Sequence, residues 1–270
     1  MLKFVPDTDK LVYDDEGKLL WREKMELTLN PDESSALAWA LALRKSGKSG
    51  ADIEIEALSM APAKAADAAR DLLRIGVDRF FLISDPLFAG SDTLATSRVL
   101  TRGIMAREAE AGRYDLILCG TRSLDGDTSH IPAQIGALLG RPVITGAYRL
   151  SVAEENGRAV AETEDEDSVF TWELALPAVA GFVPRRELRL PFVRYADLDK
   201  DVDDRLYRLS NAELGLKPEE TGLSGSRTRV ARTFAKTLPP KKQTLVYGSA
   251  ESAARVLALL RENGFPGETR

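Results

Sequence analysis

The segment Asp115–Pro142, DLILCGTRSLDGDTSHIPAQIGALLGRP, has the residue types in this chain that are best suited to chemistry. An apolar strand, predicted over Leu116–Cys119, leads into a turn rich in Gly, Ser, Thr and Asp, and a helix follows. Unpaired N–H groups and the helix dipole favour an anion at such a place. The GDTS stretch at 126–129 has little side-chain bulk, so a ligand can approach its backbone closely. The pattern leaves two interpretations open: a phosphate or nucleotide cradle, or a plain connection between a strand and a helix.

Composition argues against several other kinds of site. One Cys, Cys119, and one His, His130, cannot form a disulfide framework or a Cys/His zinc cluster within the chain. A serine–histidine–aspartate site would need His130 as its base, and no Gly-x-Ser-x-Gly motif accompanies it. The acidic run Glu162–Asp167 is predicted to be a solvated hairpin turn rather than a metal site.

Charge and hydropathy limit the cellular setting. A net charge of −5 argues against nucleic acid as the main partner. No run of about 18 apolar residues occurs, so no transmembrane segment is predicted. The start, MLKFVPDTDK, does not have the pattern of a signal peptide, and with the single cysteine this predicts a cytoplasmic protein.

The elements that must position the turn alternate between strand and helix in the first half of the chain. Predicted strands are Ile53–Ser59, Arg79–Ile83 and Leu116–Cys119, and predicted helices are Glu33–Lys45, Ala61–Ile75, Leu94–Glu110 and Ile131–Leu139. Asn30 is the predicted N-cap of the first helix. Right-handed crossovers then give a doubly wound, mainly parallel α/β sheet, with ligands at the carboxyl ends of its strands. The loops after Ser59, Ile83 and Cys119 should therefore meet.

Other segments show different patterns. Leu11–Leu29 is predicted to be a hairpin, two strands are predicted to flank 154–157, Ser168–Leu176 alternates, Leu190–Asp204 is irregular, Gly222–Thr233 is predicted to be a loop that leads to a short strand, and Ala250–Asn263 is predicted to be a terminal helix. These patterns predict a C-terminal extension beyond the parallel sheet.

Seven motifs give the chain a resemblance to a known family. They are VPDT at 5–8, NPDE at 30–33, RIGVDRFFLISDPLFAGSDTLATS at 74–97, LILCGTRSLDGDT at 116–128, LGRPVIT at 139–145, LPAV at 176–179 and GLSGSRTRV at 222–230. In this order they resemble the beta subunit of electron transfer flavoprotein, the family that includes the FixA proteins. The resemblance covers nearly the whole chain.

The resemblance implies an adenine nucleotide alpha hydrolase-like fold and an electron-transfer subunit with no catalytic side chains of its own. Such a subunit pairs with a homologous alpha subunit that carries one FAD. The pair relays electrons between flavin dehydrogenases, here one like an acyl-CoA dehydrogenase, and a downstream acceptor. Residues 1–190 are then the nucleotide-binding α/β domain, and 191–270 are a partner-recognition loop and a C-terminal arm with its terminal helix.

The bound nucleotide is AMP in ordinary members of the family and a second FAD in electron-bifurcating members. SDPLFAGSDTLATS at 84–97 resembles the form common in bifurcating members. Gly126 stands where ordinary members often have bulkier residues. Both features favour FAD, with AMP as the alternative.

The resemblance also implies the residues of the nucleotide site. They are Asn30, Pro31, Asp32, Glu33, Met60, Gly90, Ser91, Asp92, Thr93 and Thr96, together with the turn residues Gly120, Thr121, Arg122, Ser123, Leu124, Asp125, Gly126, Asp127, Thr128, Ser129, His130 and Ile131. Arg122 is expected to pair with a pyrophosphate or with an acidic residue. Asp125 is expected to fix the turn or a ribose hydroxyl, and His130 to pack or hydrogen-bond locally.

Two departures from the family pattern carry expectations of their own. Leu190 and Pro191 match the family's anchor for the dehydrogenase, but 197–204 is acidic where lysines are expected, which favours a partner with a basic rim over a plain solvated loop. The family opens with a strand before VPDT, and Met1–Lys3 stand where that strand ends. This predicts a gap or an open edge in the sheet.

Two other classes of function stay open. An ATP-using enzyme of the related ATP-pyrophosphatase kind would need an SGGxDS loop, which the sequence does not contain. A stand-alone nucleotide-binding module would not need the LPPKKQ stretch and the amphipathic terminal helix, which look like an arm for a partner chain.

Overall fold

The computed structural model describes residues 1–7, 24–47, 52–153, 157–185, 187–229 and 247–265. Most of the predicted hairpin at 11–29, the LPPKKQ stretch and the strand predicted after residue 229 lie outside these ranges. No described helix is long and apolar enough to cross a membrane.

The strands follow the apolar runs of the sequence. They are β1 (Phe4–Pro6), β2 (Leu27–Leu29), β3 (Glu56–Met60), β4 (Arg79–Ile83), β5 (Leu116–Gly120), β6 (Val143–Ala153), β7 (Arg158–Glu164), β8 (Val169–Ala175), β9 (Ala178–Phe182) and β10 (Leu206–Leu209). Strands β4 and β5, RFFLI and LILCG, are the nearly continuous apolar runs expected of strands covered on both faces.

Several helices begin and end at residues that the sequence marks as helix starts and stops. They are α1 (Pro31–Ser46), α2 (Ala66–Arg74), α3 (Thr93–Ala111), α4 (Ile131–Leu139), α5 (Asn211–Leu214), α6 (Gly222–Gly225) and α7 (Ala250–Glu262). Gly47 and Gly140 end α1 and α4 in the left-handed conformation that glycine adopts without a steric penalty. The loop predicted over 222–233 begins instead with the single turn of α6.

Two sheets are arranged around this framework, and a third is a short hairpin of β1 and β2. The first sheet has the order β10-β4-β3 and is parallel throughout. The second has the order β5-β9-β6-β7-β8, parallel from β5 to β6 and antiparallel from β6 to β8. Helices pack on both faces, as the mainly parallel α/β class predicts.

A slot separates β3 and β5, which are edge strands of the two sheets. Neither the outer edge of β3 nor that of β5 pairs with another described strand. Met1 and Leu2 bridge them, because their N–H groups donate to the carbonyls of Leu118 and Leu58. Below this bridge lies a cavity of about 730 Å³, lined by both strands and by α1 and α3.

The boundary between units differs from the predicted one. The chain forms two compact units, Met1–Ala231 and Arg232–Arg270. The sequence predicted a boundary after residue 190, but β10 pairs in register with β4, which draws the segment after 190 into the first unit. This pairing spans more than 120 residues of sequence, and the short run LYRL gives no local sign of it.

Candidate functional site

A cavity of about 1010 Å³ lies at the carboxyl ends of β3 and β5. This volume is at the upper limit of the ~300–1,000 Å³ typical of ligand sites. Met60, the last residue of β3, and Gly120, the last of β5, both line it. The loops after β4 and β5 line it as well, at the carboxyl end of the parallel strands.

Most of the predicted site residues share this cavity. Those that line it are Glu33, Met60, Gly90, Ser91, Asp92, Thr93, Thr96, Gly120, Thr121, Arg122, Ser123, Gly126, Thr128, Ser129, His130 and Ile131. Those predicted to belong to the site that do not line it are Asn30, Pro31, Asp32, Leu124, Asp125 and Asp127. Among these, Asn30 and Asp32 hold the turn that lines the cavity.

The turn between β5 and α4 has an unusual backbone. Asp127 and Ser129 have φ values of 48° and 56°, the left-handed region that residues with a side chain rarely adopt. Such strain occurs most often at functional sites, where the surrounding structure maintains it. His130 precedes α4 and its side chain makes no capping hydrogen bond. Pro132 has no N–H, so Ile131 and Ala133 are the residues of the first turn whose N–H groups can bind an anion.

Asn30 and Asp32 hold the turn from below rather than lining the cavity. Asn30 is fully buried; its amide donates to the Arg122 carbonyl (2.8 Å) and its carbonyl accepts from Leu124 N–H (3.0 Å). The Asp32 carboxylate accepts from Arg122 N–H at 3.0 Å. Asn30 was also predicted to cap α1, but its side chain makes no such bond, because the turn occupies both of its polar ends. The NPDE motif therefore shapes the turn.

Glu33 is the acidic group at the floor of the cavity. It is buried, accepts a hydrogen bond from the Asn30 amide, and lies so close to Gly120 that any side chain there would overlap it. Burial raises the pKa of Glu33 to about 7, although the Asn30 hydrogen bond opposes the rise. Burial also raises the pKa of the neighbouring Asp32. A protonated Glu33 can donate a hydrogen bond.

The charged residues of the turn pair within the protein. The Arg122 guanidinium lies 3.7 Å from the Asp127 carboxylate, and both are largely exposed, so the pair contributes little to stability. Asp125 accepts from the Lys3 ammonium at 2.6 Å, which fixes the turn to the first residues of the chain. Burial raises the pKa of Asp125, but the Lys3 and Ser123 side chains outweigh it and leave the pKa below its usual value. Asp125 thus fulfils the first of its two expected roles.

The start of α3 forms the wall opposite the turn. Thr93 Oγ1 lies 3.2 Å from His130 Nδ1, which joins the two segments directly. One turn further along α3, Ser97 Oγ donates to Gln134 of α4 at 2.8 Å. Asp92 caps α3 by accepting from Ala95 N–H, as the cap interpretation of FAGSDT predicts. The local role expected of His130 agrees with its contact to Thr93.

Several lining residues were missed by the sequence interpretation. They are Met1, Leu2, Lys3, Leu100, Cys119, Leu223, Thr228 and Arg229. The GLSGSRTRV motif contains three of them, and its glycines and hydroxyls were a signal, but nothing local shows that it meets a loop 130 residues earlier. Burial raises the pKa of Cys119 to about 12, so its thiol stays protonated and is no nucleophile.

The two residues of the predicted partner anchor differ in exposure. Leu190 is half-buried and packs against the core cluster around Phe80, whereas Pro191 is exposed. The most exposed apolar side chains nearby are Phe192 (95% exposed) and Tyr195 (91%), which the sequence analysis did not select.

Residues of both acidic segments form ion pairs with arginines. No group of three or more His, Cys, Asp or Glu among the described residues is arranged to hold a metal ion. Glu162 pairs with Arg149 at 3.0 Å and Glu164 pairs with Arg185, both in strand β7 rather than in the turn that follows it. Asp203 of the later acidic segment pairs with Arg70 at 2.6 Å.

The sequence of the chain is similar to those of electron transfer flavoprotein subunits. The family model of the electron transfer flavoprotein domain matches residues 19–186. The chain is 33% identical over 243 residues to the caffeyl-CoA reductase–Etf complex subunit CarD of Acetobacterium woodii, covering 89% of this chain and 87% of that protein. It is 34% identical over 244 residues to the electron transfer flavoprotein subunit beta of Megasphaera elsdenii, with the same coverage, 89% and 87%. It is 29% identical over 259 residues to protein FixA of Azorhizobium caulinodans, covering 95% and 90%.

Proposed function

The chain belongs to the electron transfer flavoprotein family and is an electron-transfer subunit of the beta or FixA type, and from this premise we propose that it binds FAD in the cavity beside the 120–131 turn. The observation that carries the proposal is the cavity of about 1010 Å³ beside a turn rich in Gly, Ser and Thr and beside the start of α4, where Ile131 and Ala133 have N–H groups for an anion. AMP is less than half of the FAD molecule and would leave much of this space unfilled.

The residues present fit a bound dinucleotide. Gly126 leaves room at the turn, since a Cβ there would meet only Ser123 Oγ at 3.5 Å. Asp127 N–H already donates to the Ser123 carbonyl, so Gly126, Thr128, Ser129 and the first turn of α4 apart from Pro132 supply the N–H donors for phosphate. When bound, the flavin supplies the redox chemistry, and the protein binds, orients and excludes water. Burial raises the pKa of Glu33 to about 7, so this carboxyl at the floor of the site holds a proton below neutral pH.

Two protein partners complete the proposal. One is an electron transfer flavoprotein alpha subunit with its own FAD, and the apolar residues that α7 exposes, Val256, Leu257, Leu259 and Leu260, support an interaction of this kind. The other is a flavin dehydrogenase like an acyl-CoA dehydrogenase. Exposed aromatic side chains give affinity at protein interfaces, so Phe192 and Tyr195 replace Leu190 as the expected anchors, beside Pro191.

The nucleotide is tested by releasing it with acid from the purified protein and its co-expressed alpha subunit. Mass and absorbance identify the released molecule, and we expect two FAD per heterodimer. One FAD and one AMP per heterodimer would show that this subunit binds AMP instead of FAD. A colourless monomer that hydrolyses ATP would overturn the proposal in favour of an ATP-using enzyme.

The docking surface is tested separately by the affinity of the heterodimer for its dehydrogenase. Replacing Phe192 and Tyr195 with Ala is expected to weaken binding at least tenfold, the size of a hot-spot loss of about 1.4 kcal/mol or more. Reversing the charges of Asp199 and Asp201 should slow association. Met105→Ala is the control, because Met105 is an apolar side chain on α3 that is 49% exposed and lies outside this loop.

A further inference from the structure

Among the described residues, two carboxyl side chains line the cavity, and their surroundings differ. The Asp92 carboxylate accepts from three backbone N–H groups and from the Thr228 hydroxyl. Burial raises the pKa of Asp92, but these donors outweigh it and leave the pKa below its usual value. Glu33 is only 8% exposed and receives one side-chain hydrogen bond, from the Asn30 amide. Asp92 therefore stays ionised, whereas Glu33 has little to hold its negative charge.

The cations that line the cavity near the turn are paired with other carboxylates. The Lys3 ammonium donates to Asp125 at 2.6 Å, and the Arg122 guanidinium lies 3.7 Å from Asp127. No lysine or arginine in the described part of the chain forms an ion pair with Glu33. A buried carboxylate without a cation is costly, so the group keeps its proton more readily than an exposed one.

The titratable groups that face Glu33 come from three elements. They are Asp32 of the same helix, Cys119 of β5 and the amine of Met1. Burial raises the pKa of Asp32 and of Cys119 and lowers that of the Met1 amine, so it disfavours the charged form of each group. The floor of the cavity accommodates charge poorly, and a neutral Glu33 fits it best.

A bound phosphate adds negative charge to the same cavity. The Glu33 carboxyl packs against the first residue of the turn, since a Cβ on Gly120 would lie 2.5 Å from Glu33 Oε2. Because a cavity of this volume is on the order of 10 Å across, each pair of negative charges in it weakens binding by roughly tenfold at an effective dielectric of about 20. A ligand also displaces water from the floor, which disfavours the carboxylate further.

We propose that Glu33 takes up a proton when the cavity binds the pyrophosphate of a dinucleotide, so that nucleotide binding is coupled to protonation of this one carboxyl. This rests on the proposed function. The proton comes from the solvent and returns to it when the nucleotide leaves. Affinity should therefore fall as pH rises, because above neutral pH the free chain has lost the proton that the bound chain needs.

The test is titration calorimetry of FAD with the full chain, stripped of nucleotide, at pH 6 and pH 8 and constant ionic strength. Neither phosphate of FAD changes its charge in this range. Since the pKa of Glu33 is about 7 before binding, the original chain should bind FAD about tenfold more weakly at pH 8 than at pH 6. At pH 8, buffers of different ionisation enthalpy should show uptake of about one proton.

Glu33→Gln keeps the shape of the side chain and cannot ionise. Its affinity for FAD should agree within about twofold at the two pH values, and at pH 8 it should exceed that of the original chain by about tenfold. His130→Gln is the matched control, because His130 also lines the cavity and histidine is the side chain that ordinarily changes charge in this range. The control should keep the tenfold fall.

Two results would overturn the coupling: a fall with pH that persists in Glu33→Gln, or binding by the original chain without proton uptake. The second measurement needs no variant, so it decides the question even if Glu33→Gln fails to fold. Failure of the original chain to bind FAD at either pH would instead overturn the proposed function.

Discussion

Asn30 shows how a single buried side chain can shape a site that it does not line. Its amide group spans the backbone of Arg122 and Leu124, and Asn30 itself is fully buried. Buried amides whose bonds are removed leave their partners unsatisfied. The sequence marked Asn30 as important but predicted the wrong contact, because a helix cap is a local pattern and a clamp on residues 92 positions away is not.

Replacing Asn30 with Ala should lower the free energy of unfolding by about 1–3 kcal/mol, since the Arg122 carbonyl and the Leu124 N–H lose a fully buried partner. It should also weaken FAD binding, because the turn is no longer held. Urea denaturation and ligand titration measure the two effects. Asn211→Ala is the control, since Asn211 clamps the N–H (3.1 Å) and the carbonyl (2.9 Å) of Leu216 away from the cavity. Unchanged FAD affinity in Asn30→Ala would contradict the clamp.

Glu33 should make the stability of the protein depend on pH. Burial raises its pKa from 4.5 to about 7, so between these values the unfolded chain releases a proton that the folded chain keeps. The free energy of unfolding should therefore fall as pH rises through this window. At about 1.4 kcal/mol per pH unit, the fall is about 3 kcal/mol.

Glu33→Gln lacks this proton, so its stability should not show that fall. The measurement is the difference in free energy of unfolding between the two proteins at pH 5 and pH 7.5, by urea denaturation. Glu219→Gln, an exposed position, should follow the original chain at both values. Parallel pH profiles for Glu33→Gln and the original would show that Glu33 does not keep its proton.

At the scale of elements, β5, the turn and α4 form the unit that positions the site. The sequence predicted Arg79–Ile83 and Ile131–Leu139 with the bounds that the structure has, because apolar runs, Pro132 and Gly140 mark them locally. Helix α4 packs on β6 through Gly136, where a Cβ would overlap Val143 and come within 3.2 Å of the Arg141 carbonyl. The close approach fixes the angle at which α4 leaves the turn.

Gly136→Ala tests this packing, because the close contact and the helix propensity predict opposite changes in stability. Alanine in a helix normally stabilises by about 1 kcal/mol relative to glycine. Here we expect a loss of about 1–3 kcal/mol from overpacking. Adding Val143→Ala should recover part of it, and Gly248→Ala, where nothing lies within 4 Å, should have little effect. Thermal and urea unfolding give the comparison; a more stable Gly136→Ala protein would contradict the close contact.

At the scale of the whole molecule, the slot between β3 and β5 is the largest departure from a continuous sheet. Each strand pairs on one side only among the described residues, so both edges present backbone groups across the same cavity. Such edges can accept a further strand. Met1 and Leu2 already set its register through their bonds to Leu118 and Leu58.

An added segment of five β-branched residues before Met1 should therefore stabilise the protein. Five residues extend about 17 Å, the length of a strand such as β3 or β5. We expect the melting temperature to rise by about 5 °C or more, with slower hydrogen exchange in Glu56–Met60 and Leu116–Gly120. A five-residue Gly-Ser-Pro-Gly-Ser segment is the control. Equal melting temperatures for the two extensions would contradict insertion into the slot.

The sequence by itself determined the α/β class, the order of the main elements and the turn at 120–131, because periodicity, caps and small residues act over a few positions. Only the tertiary structure decided that Asn30 clamps the turn, that β10 joins β4, and that Leu223 and Arg229 reach the cavity. These contacts join residues about 90 to 130 positions apart. Their partners are chosen by packing and backbone pairing across the folded chain, and local residue patterns contain no record of that choice.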